Sequence, residues 1–245
     1  FIYEGIERNI LDSWLSWSSM DLQEIVGEEW GMLYGRKRKK DAQGNWMYYA
    51  SGNHMYDNNQ LLGNVMPDYT GGITSTLQYK NWDVAIGIDF QEGGLYHSVT
   101  DMFSMAAGLH EWTAGMNDKG NPKRDAVSAG GGIHQVGVYA DGSVADIYRD
   151  PNSWAWGNWT RDDLWLVDAS FVKLRQVRIG YTFNRDQLDK TPFDAINVAL
   201  IGTNLAILSE TTDWGDYRGA KTPGLDPSEL GSNWSGSYYA SEGGQ

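Results

Sequence analysis

The chain has 245 residues with a formal net charge of −13, 30 glycines, 12 tryptophans, 14 tyrosines, six phenylalanines, six prolines and no cysteine. Such acidity argues against binding of a phosphate backbone, the one basic run, Arg36 to Lys40, being short. The missing cysteines exclude disulfides and thiolate metal sites, and the Gly, Trp and Tyr bias favours turns and strands over helices.

No stretch approaches the ~20 apolar residues of a membrane-crossing helix. A barrel strand escapes that criterion, because it alternates lipid-facing with lumen-facing residues and its hydropathy averages out. The sequence opens Phe1-Ile2-Tyr3 without a methionine or a basic, then apolar leader. It is therefore expected to be a mature or proteolysed piece, or to lack its true start.

In chain order, the first strong signal is a hairpin about Asn81. In residues 73–80 the odd positions carry Ile73, Leu77 and Tyr79 and the even ones are polar. In residues 82–91 the even positions carry Trp82, Val84, Ile86, Ile88 and Phe90 against Asp83, Ala85, Gly87, Asp89 and Gln91. A period of two predicts strands. The second run has the roughly ten residues that a tilted membrane strand needs, with aromatics at both ends of its apolar stripe, as in an interfacial girdle.

Residues 92–169 form a 78-residue stretch, rich in Gly, Trp and His, of weak periodicity, which is expected as one long external loop. Residues 171–183 then read as a third strand with Val177, Ile179, Tyr181 and Phe183 on one face and Gln176, Arg178, Gly180 and Thr182 on the other. Upstream, Val172 and Leu174 have the opposite parity, which predicts a bulge or a change of environment near Arg175. Beyond Pro192 a fourth strand spans residues 195–205, with Asn197, Ala199 and Thr203 on its polar side.

Several short motifs bear a family resemblance. Leu62-Gly63-Asn64-Val65-Met66-Pro67-Asp68-Tyr69-Thr70-Gly71-Gly72 resembles the segment that precedes a barrel strand in TonB-linked outer-membrane proteins of the SusC/RagA family. Asp168-Ala169-Ser170-Phe171-Val172-Lys173-Leu174-Arg175, followed by Gly180-Tyr181-Thr182-Phe183, looks like a later strand of that family, and Gly202-Thr203-Asn204-Leu205 resembles the next. Weaker likenesses run from Val26-Gly27-Glu28 to Tyr34-Gly35, at Glu92-Gly93-Gly94 and at Gly224-Leu225-Asp226-Pro227.

The resemblance implies an all-β fold, part of a large antiparallel transmembrane β-barrel of roughly 22 strands with long extracellular loops. Residues 1–245 would be a C-terminal portion of that barrel, without the plug domain and with the last strand missing after Glu242-Gly243-Gly244-Gln245. It also implies a bacterial outer-membrane importer of oligosaccharides or peptides, not an enzyme. Its partners would be a SusD-like surface lipoprotein, TonB through a plug on another segment, the remaining barrel segments and outer-membrane lipid, with no nucleic acid and no cofactor. The rival reading is a soluble secreted β-rich carbohydrate-binding module or glycosidase, suggested by the acidity and the tryptophans.

Candidate sites each have an ordinary counterpart. Asp162-Asp163 and Glu28-Glu29 are acid pairs of the kind that glycosidases use, and equally surface acids in loops. His54, His97, His110 and His134 lack metal-ligand spacing, so no metal is assigned. Gly130-Gly131-Gly132 lacks the Lys-Ser/Thr of a phosphate loop and reads as flexible loop, and residues 117–121 resemble only a fragment of a calcium loop. Asn158 and Asn233 begin glycosylation sequons. Trp154, Trp156, Trp159 and Trp165 are the candidate ligand- or partner-contact residues, through stacking on sugar rings or a partner, the ordinary alternative being membrane-interface anchoring or packing within their own loop. Asp83, Asp89, Gln176 and Arg178 are the expected lumen-facing residues.

Overall fold

The computed structural model describes residues 8–13 and 19–211, with backbone alone at 8–13 and 100. In chain order the strands are β1 (Arg8–Ser13), β2 (Asp21–Ile25), β3 (Met32–Arg38), β4 (Met47–Tyr48), β5 (Tyr56–Asn64), β6 (Pro67–Tyr79), β7 (Trp82–Gly93), β8 (Leu95–His97), β9 (Ile133–Tyr139), β10 (Val144–Arg149), β11 (Leu166–Asp168), β12 (Phe171–Asn184) and β13 (Ala195–Glu210). The helices are short: α1 (Val99–Ala106), α2 (Glu111–Ala114) and α3 (Pro151–Gly157). The fold is all-β, and among the described residues no helix is long and apolar enough to cross a membrane.

The chain divides into two compact units. One comprises Pro67–Gly93 and Ala169–Thr211, and it is a four-stranded antiparallel sheet of order β13-β12-β7-β6. Its hairpin turns at Lys80-Asn81 as the alternation predicts, with Lys80 in the left-handed region at φ 53°. The expected irregularity is a true bulge: the register of β12 shifts between Leu174 and Gln176 against both β7 and β13. With Arg175 unpaired, Leu174 falls opposite Ile88 and Val172 opposite Phe90, so both rejoin the apolar face. The segment that resembled the approach to a barrel strand enters the strand itself, since β6 begins at Pro67.

The other unit takes in the described residues up to Met66 together with Gly94–Asp168. It holds the sheet β1-β2-β3-β5, the sheet β10-β9-β4 and the pair β11-β8. Residues 92–169 are thus a correction to the expected long loop, for they carry four short strands and all three helices. The local stop and start signals are ordinary ones. Ser98 caps α1 by accepting from the Asp101 amide, Asp150 caps α3 by accepting from Ser153 ahead of Pro151, and Asp141-Gly142 turns β9 into β10. Met20, Leu33 and Val99 form a buried cluster with Leu62, Val65 and Leu166 packed on it, while Trp154, Trp165, Met102 and Met105 are also buried.

Candidate functional site

Residues directly opposite one another in antiparallel strands share a face, so the register fixes the two surfaces of the four-stranded sheet. On one face the rungs read Tyr79, Trp82, Tyr181, Val198; then Leu77, Val84, Ile179, Leu200; then Ser75, Ile86, Val177, Gly202; then Ile73, Ile88, Leu174, Ala206. Each position on three of these rungs is apolar or aromatic but for an alanine, and the serine rung is the exception. Leu200 is 77% exposed, Leu77 66% and Ile73 63%, values far above those of core positions. Trp82, Ile179, Tyr181, Phe183, Val198 and Leu200 line a shallow apolar depression on this face.

Aromatic side chains bracket the stripe. Near the Lys80-Asn81 turn the Trp82 ring lies 4.9 Å from that of Tyr181, itself 4.8 Å from Phe183, all edge-on. At the far end Tyr69 and Phe90 meet edge-on at 6.3 Å. Trp82 and Phe90 lie eight residues apart, about 27 Å along the strand or roughly 20 Å along the normal at a barrel strand's tilt, most of the ~25 Å apolar band of a membrane barrel.

The opposite face is polar and internally paired. Asp83 forms an ion pair with Arg178, whose Nη2 donates to Asn197 Oδ1 at 2.9 Å, and Asn197 Nδ2 in turn donates to Thr182 Oγ1 at 2.9 Å and Asp83 Oδ1 at 3.3 Å. The bulged Arg175 bridges Asp89 (2.6 Å) and Asn204 (2.7 Å). Gly180 lies opposite Asp83, and a β-carbon there would collide with the Asp83 carboxylate. All four residues expected to face a lumen, Asp83, Asp89, Gln176 and Arg178, therefore share this face, as do Asn197, Ala199 and Thr203. Ile201, paired with Arg178 and 53% exposed, is an apolar intruder that the alternation alone does not account for.

The tryptophans separate into two pairs. Trp154 and Trp165 are fully buried, their rings 6.4 Å apart, and Trp165 Nε1 donates to the Trp159 carbonyl at 3.1 Å. They are core side chains with no face open to a ligand, because large amphipathic rings that can satisfy their N–H are favourable fillers of a small core. Trp156 and Trp159 stack on one another at 4.6 Å, with Phe103 edge-on to Trp159 at 5.0 Å and Trp156 54% exposed. Trp156 is thus the one of the four whose ring is mostly exposed.

The acid pair Asp162-Asp163 is structural and not a surface pair. Asp162 is buried and accepts from the Arg36 amide at 2.8 Å, and Asp163 accepts from both the amide (3.0 Å) and the guanidinium Nε (2.9 Å) of Arg38. The basic run is consumed by the same region: Arg38 and Lys40 lie over the Trp46 ring, Arg36 over Tyr56, and Lys39 pairs with Asp57 at 3.0 Å. Glu28 and Glu29 are exposed.

Burial and the charges of Arg38, Arg161 and Arg149 push His54 down to about 2, and burial, opposed by Asp101, pushes His97 down to about 3. His110 Nδ1 accepts from the Trp112 amide (3.1 Å), leaving Nε2 to donate to Asp101 (3.2 Å), an arrangement that ties α1 to α2. His134 spans Asp146 (2.7 Å) and Asp118 (3.1 Å) from its two ring nitrogens, so these carboxylates lie on opposite edges of the ring and do not converge on one point. Among the described residues no group of three or more His, Asp or Glu is placed to hold a metal.

Two loop readings change. The glycine run is held, not loose: Asn117 and Asn121 side chains donate to the Gly130 carbonyl, with Gly130 at φ 91° ending a 3-10 turn. Asn117 Oδ1 accepts from the amides of Lys119 and Asn121, so this side chain, which looked like part of a cation loop, organises its own turn. Asn158 is buried, accepting from the His54 amide (2.9 Å) and donating to the Trp154 carbonyl (2.9 Å), which leaves no room for a glycan. Asn233, Gly224 to Pro227 and the chain end at Gln245 lie outside the described residues.

No family model matches the chain, and no curated protein matches it. Among solved structures it is similar to the RagAB peptide importer in the "closed-closed" state, with 13% identity and a TM-score of 0.48 over 84% of this chain, and to the RagAB peptide transporter, with 13% identity and a TM-score of 0.47 over 85%. The chain spans 22% of the length of each of those chains.

Proposed function

We propose that the chain forms part of the wall and external region of an outer-membrane β-barrel importer, with no chemical step carried by its residues. The observation that carries this reading is the two-faced sheet, whose exposed apolar stripe, bracketed by aromatics, backs onto a face of paired Asp, Arg and Asn side chains. In water such a stripe is unfavourable. Transfer of each Leu or Ile side chain from water into hydrocarbon is worth about 1.5–3 kcal/mol, so a bilayer turns the liability into the main stabilising contribution. β6 and β13 are the outer strands of this sheet, and in lipid their outward backbone groups need partners. In this reading further barrel strands, from the same or another polypeptide, supply them.

The finer assignment rests on the motif resemblance: a C-terminal portion of a SusC/RagA-type barrel, driven by TonB through a plug elsewhere, capped by a SusD-like lipoprotein and taking up oligosaccharides or peptides. Polar residues such as Asp83, Asp89, Gln176 and Arg178 then line the interior, and residues 92–169 contact the lipoprotein and the ligand. Fractionation of cells producing the native protein tests the reading. The protein is expected in outer membranes, extractable only with detergent; a monomeric protein folded in detergent-free buffer overturns it and restores the soluble-module rival.

A further inference from the structure

The unit containing Gly94–Asp168 has a concavity of its own, formed by residues 48–50 and 139–143. It is a groove of about 410 Å³ lined by Tyr48, Tyr49, Ala50, Tyr139, Ala140, Asp141 and Ser143. That volume falls in the range of small-ligand sites. Parallel pairing of β4 with the end of β9 brings Tyr48 beside Tyr139. The Tyr48 ring is buried as the floor, 4.6 Å from His54, while Tyr49 is 41% exposed at the rim.

The other rim is the turn after β9. The Tyr139 carbonyl accepts from Gly142, which takes φ 82°, and Tyr139 donates to the Ser143 carbonyl. Asp141 Oδ1 accepts from the Ser143 amide (3.0 Å) and hydroxyl (2.6 Å), which holds its carboxyl below the usual range. Among the described residues Asp141 has no ion-pair partner, Oδ2 accepts from no protein donor, and no Lys or Arg lines the groove.

A fixed, unneutralised carboxylate beside the exposed Tyr49 ring and the half-buried Tyr139 ring is an arrangement that attracts a cation: the carboxylate provides charge, a ring face its quadrupole, and apolar ring surface takes the methylene stem. A neutral sugar could use the tyrosine hydroxyls of the lining but gains nothing from the charge of Asp141, which favours a cation. We propose that this groove is a binding site for a cationic side chain, lysine or arginine, of a peptide ligand. The inference concerns this groove alone and holds whether or not the four-stranded sheet lies in a membrane.

The test is calorimetric titration of the full chain in its native assembly, in detergent at low salt, with the tripeptides Ala-Lys-Ala and Ala-norleucine-Ala and with maltotriose. Ala-Lys-Ala is expected to bind at least about fivefold more tightly than the uncharged norleucine peptide, and less tightly as salt rises. Asp141→Asn keeps the acceptor for the Ser143 amide, so the turn persists while the charge goes; binding is expected to fall at least about fivefold. Tyr49→Ala, at an exposed position, is expected to weaken binding without affecting folding, and serves if the first variant does not fold. Equal binding of the two peptides, unchanged affinity in both variants, or saturable binding of maltotriose lost on Tyr49→Ala would overturn the proposal. Membrane extraction of the same variants reads the importer proposal separately.

Discussion

The two units differ in whether they close a core: both leave some apolar side chains exposed, Leu109 and Val144 in one as well as Leu200 in the other, but only one buries large apolar side chains completely. In the unit that includes Gly94–Asp168, Trp154, Trp165, Met20, Met102 and Met105 are at most 1% exposed, and even polar groups such as Asp162 and Asn158 are taken inside and paired. In the four-stranded sheet, Leu77, Leu200 and Ile73 are well over half exposed, while the polar side is the one that is knitted together by Asp83, Arg178 and Asn197. One unit has a core closed against solvent. The other is built inside out, with its hydrogen-bonded side opposite an apolar one, which is the distribution that lipid outside and water inside would select.

The strongest way to break that contrast is to empty the closed core. Trp165→Ala removes a fully buried ring, and a loss of about 3–5 kcal/mol is expected from the cavity; chemical denaturation followed by near-UV dichroism of the tryptophans checks it. Substitution on the sheet depends on the face. Leu200→Arg, on the apolar side one rung in from Trp82, is expected to cost about 1–3 kcal/mol in bilayers, between the midplane and interface values, whereas Thr76→Arg, one residue from Leu77 on the polar side, is expected to change folding by no more than about 0.5 kcal/mol. Equal penalties, measured by refolding into lipid vesicles, would erase the two-faced character on which the comparison depends.

Acid sharpens it further. Because the folded-state values of His54 and His97 are lowered, to about 2 and about 3, from an ordinary 6.5, the unfolded chain binds more protons between those limits. Their contribution is fully present above pH 6.5 and is lost as pH falls toward the folded values, each histidine adding a slope of up to about 1.4 kcal/mol per pH unit. His54→Phe keeps a ring against Trp46 and Tyr48 and is expected to flatten the slope by up to one proton between pH 6 and 4, as read from melting temperatures. An unchanged slope would mean that His54 is not held uncharged.

The sheet was largely legible from residue order. A period of two on each side of the Asn81 turn leaves a single choice of faces, and the parity break between Leu174 and Val177 located the bulge at Arg175, because one extra residue inverts all that follows. Residues 92–169 were not legible as a folded unit, for physical reasons. Their elements are mostly three to eight residues long, too short for periodicity to accumulate, and they are fixed by contacts distant in sequence: Asp162 to Arg36, 126 positions apart, and Asn158 to His54, 104 apart. The caps at Ser98 and Asp150 and the Asp141-Gly142 turn were local signals that could have revealed some of them. Burial of Trp154 against exposure of Trp156 follows from helix α3 presenting one side inward, whereas Trp165 is buried at the end of the 3-10 turn Asp162–Leu164, and spacing alone did not separate them.

The central claim is that the stripe through Leu77, Val84, Ile179 and Leu200 touches lipid chains. Spin labels placed singly at Leu77, Leu200, Thr76 and Ala199 in the membrane-reconstituted native protein test it through collision with oxygen and with a water-soluble nickel chelate. The account predicts that labels at Leu77 and Leu200 collide preferentially with oxygen, and labels at Thr76 and Ala199 preferentially with the chelate. Similar accessibility at all four sites, or chelate preference at Leu77 and Leu200, would contradict it.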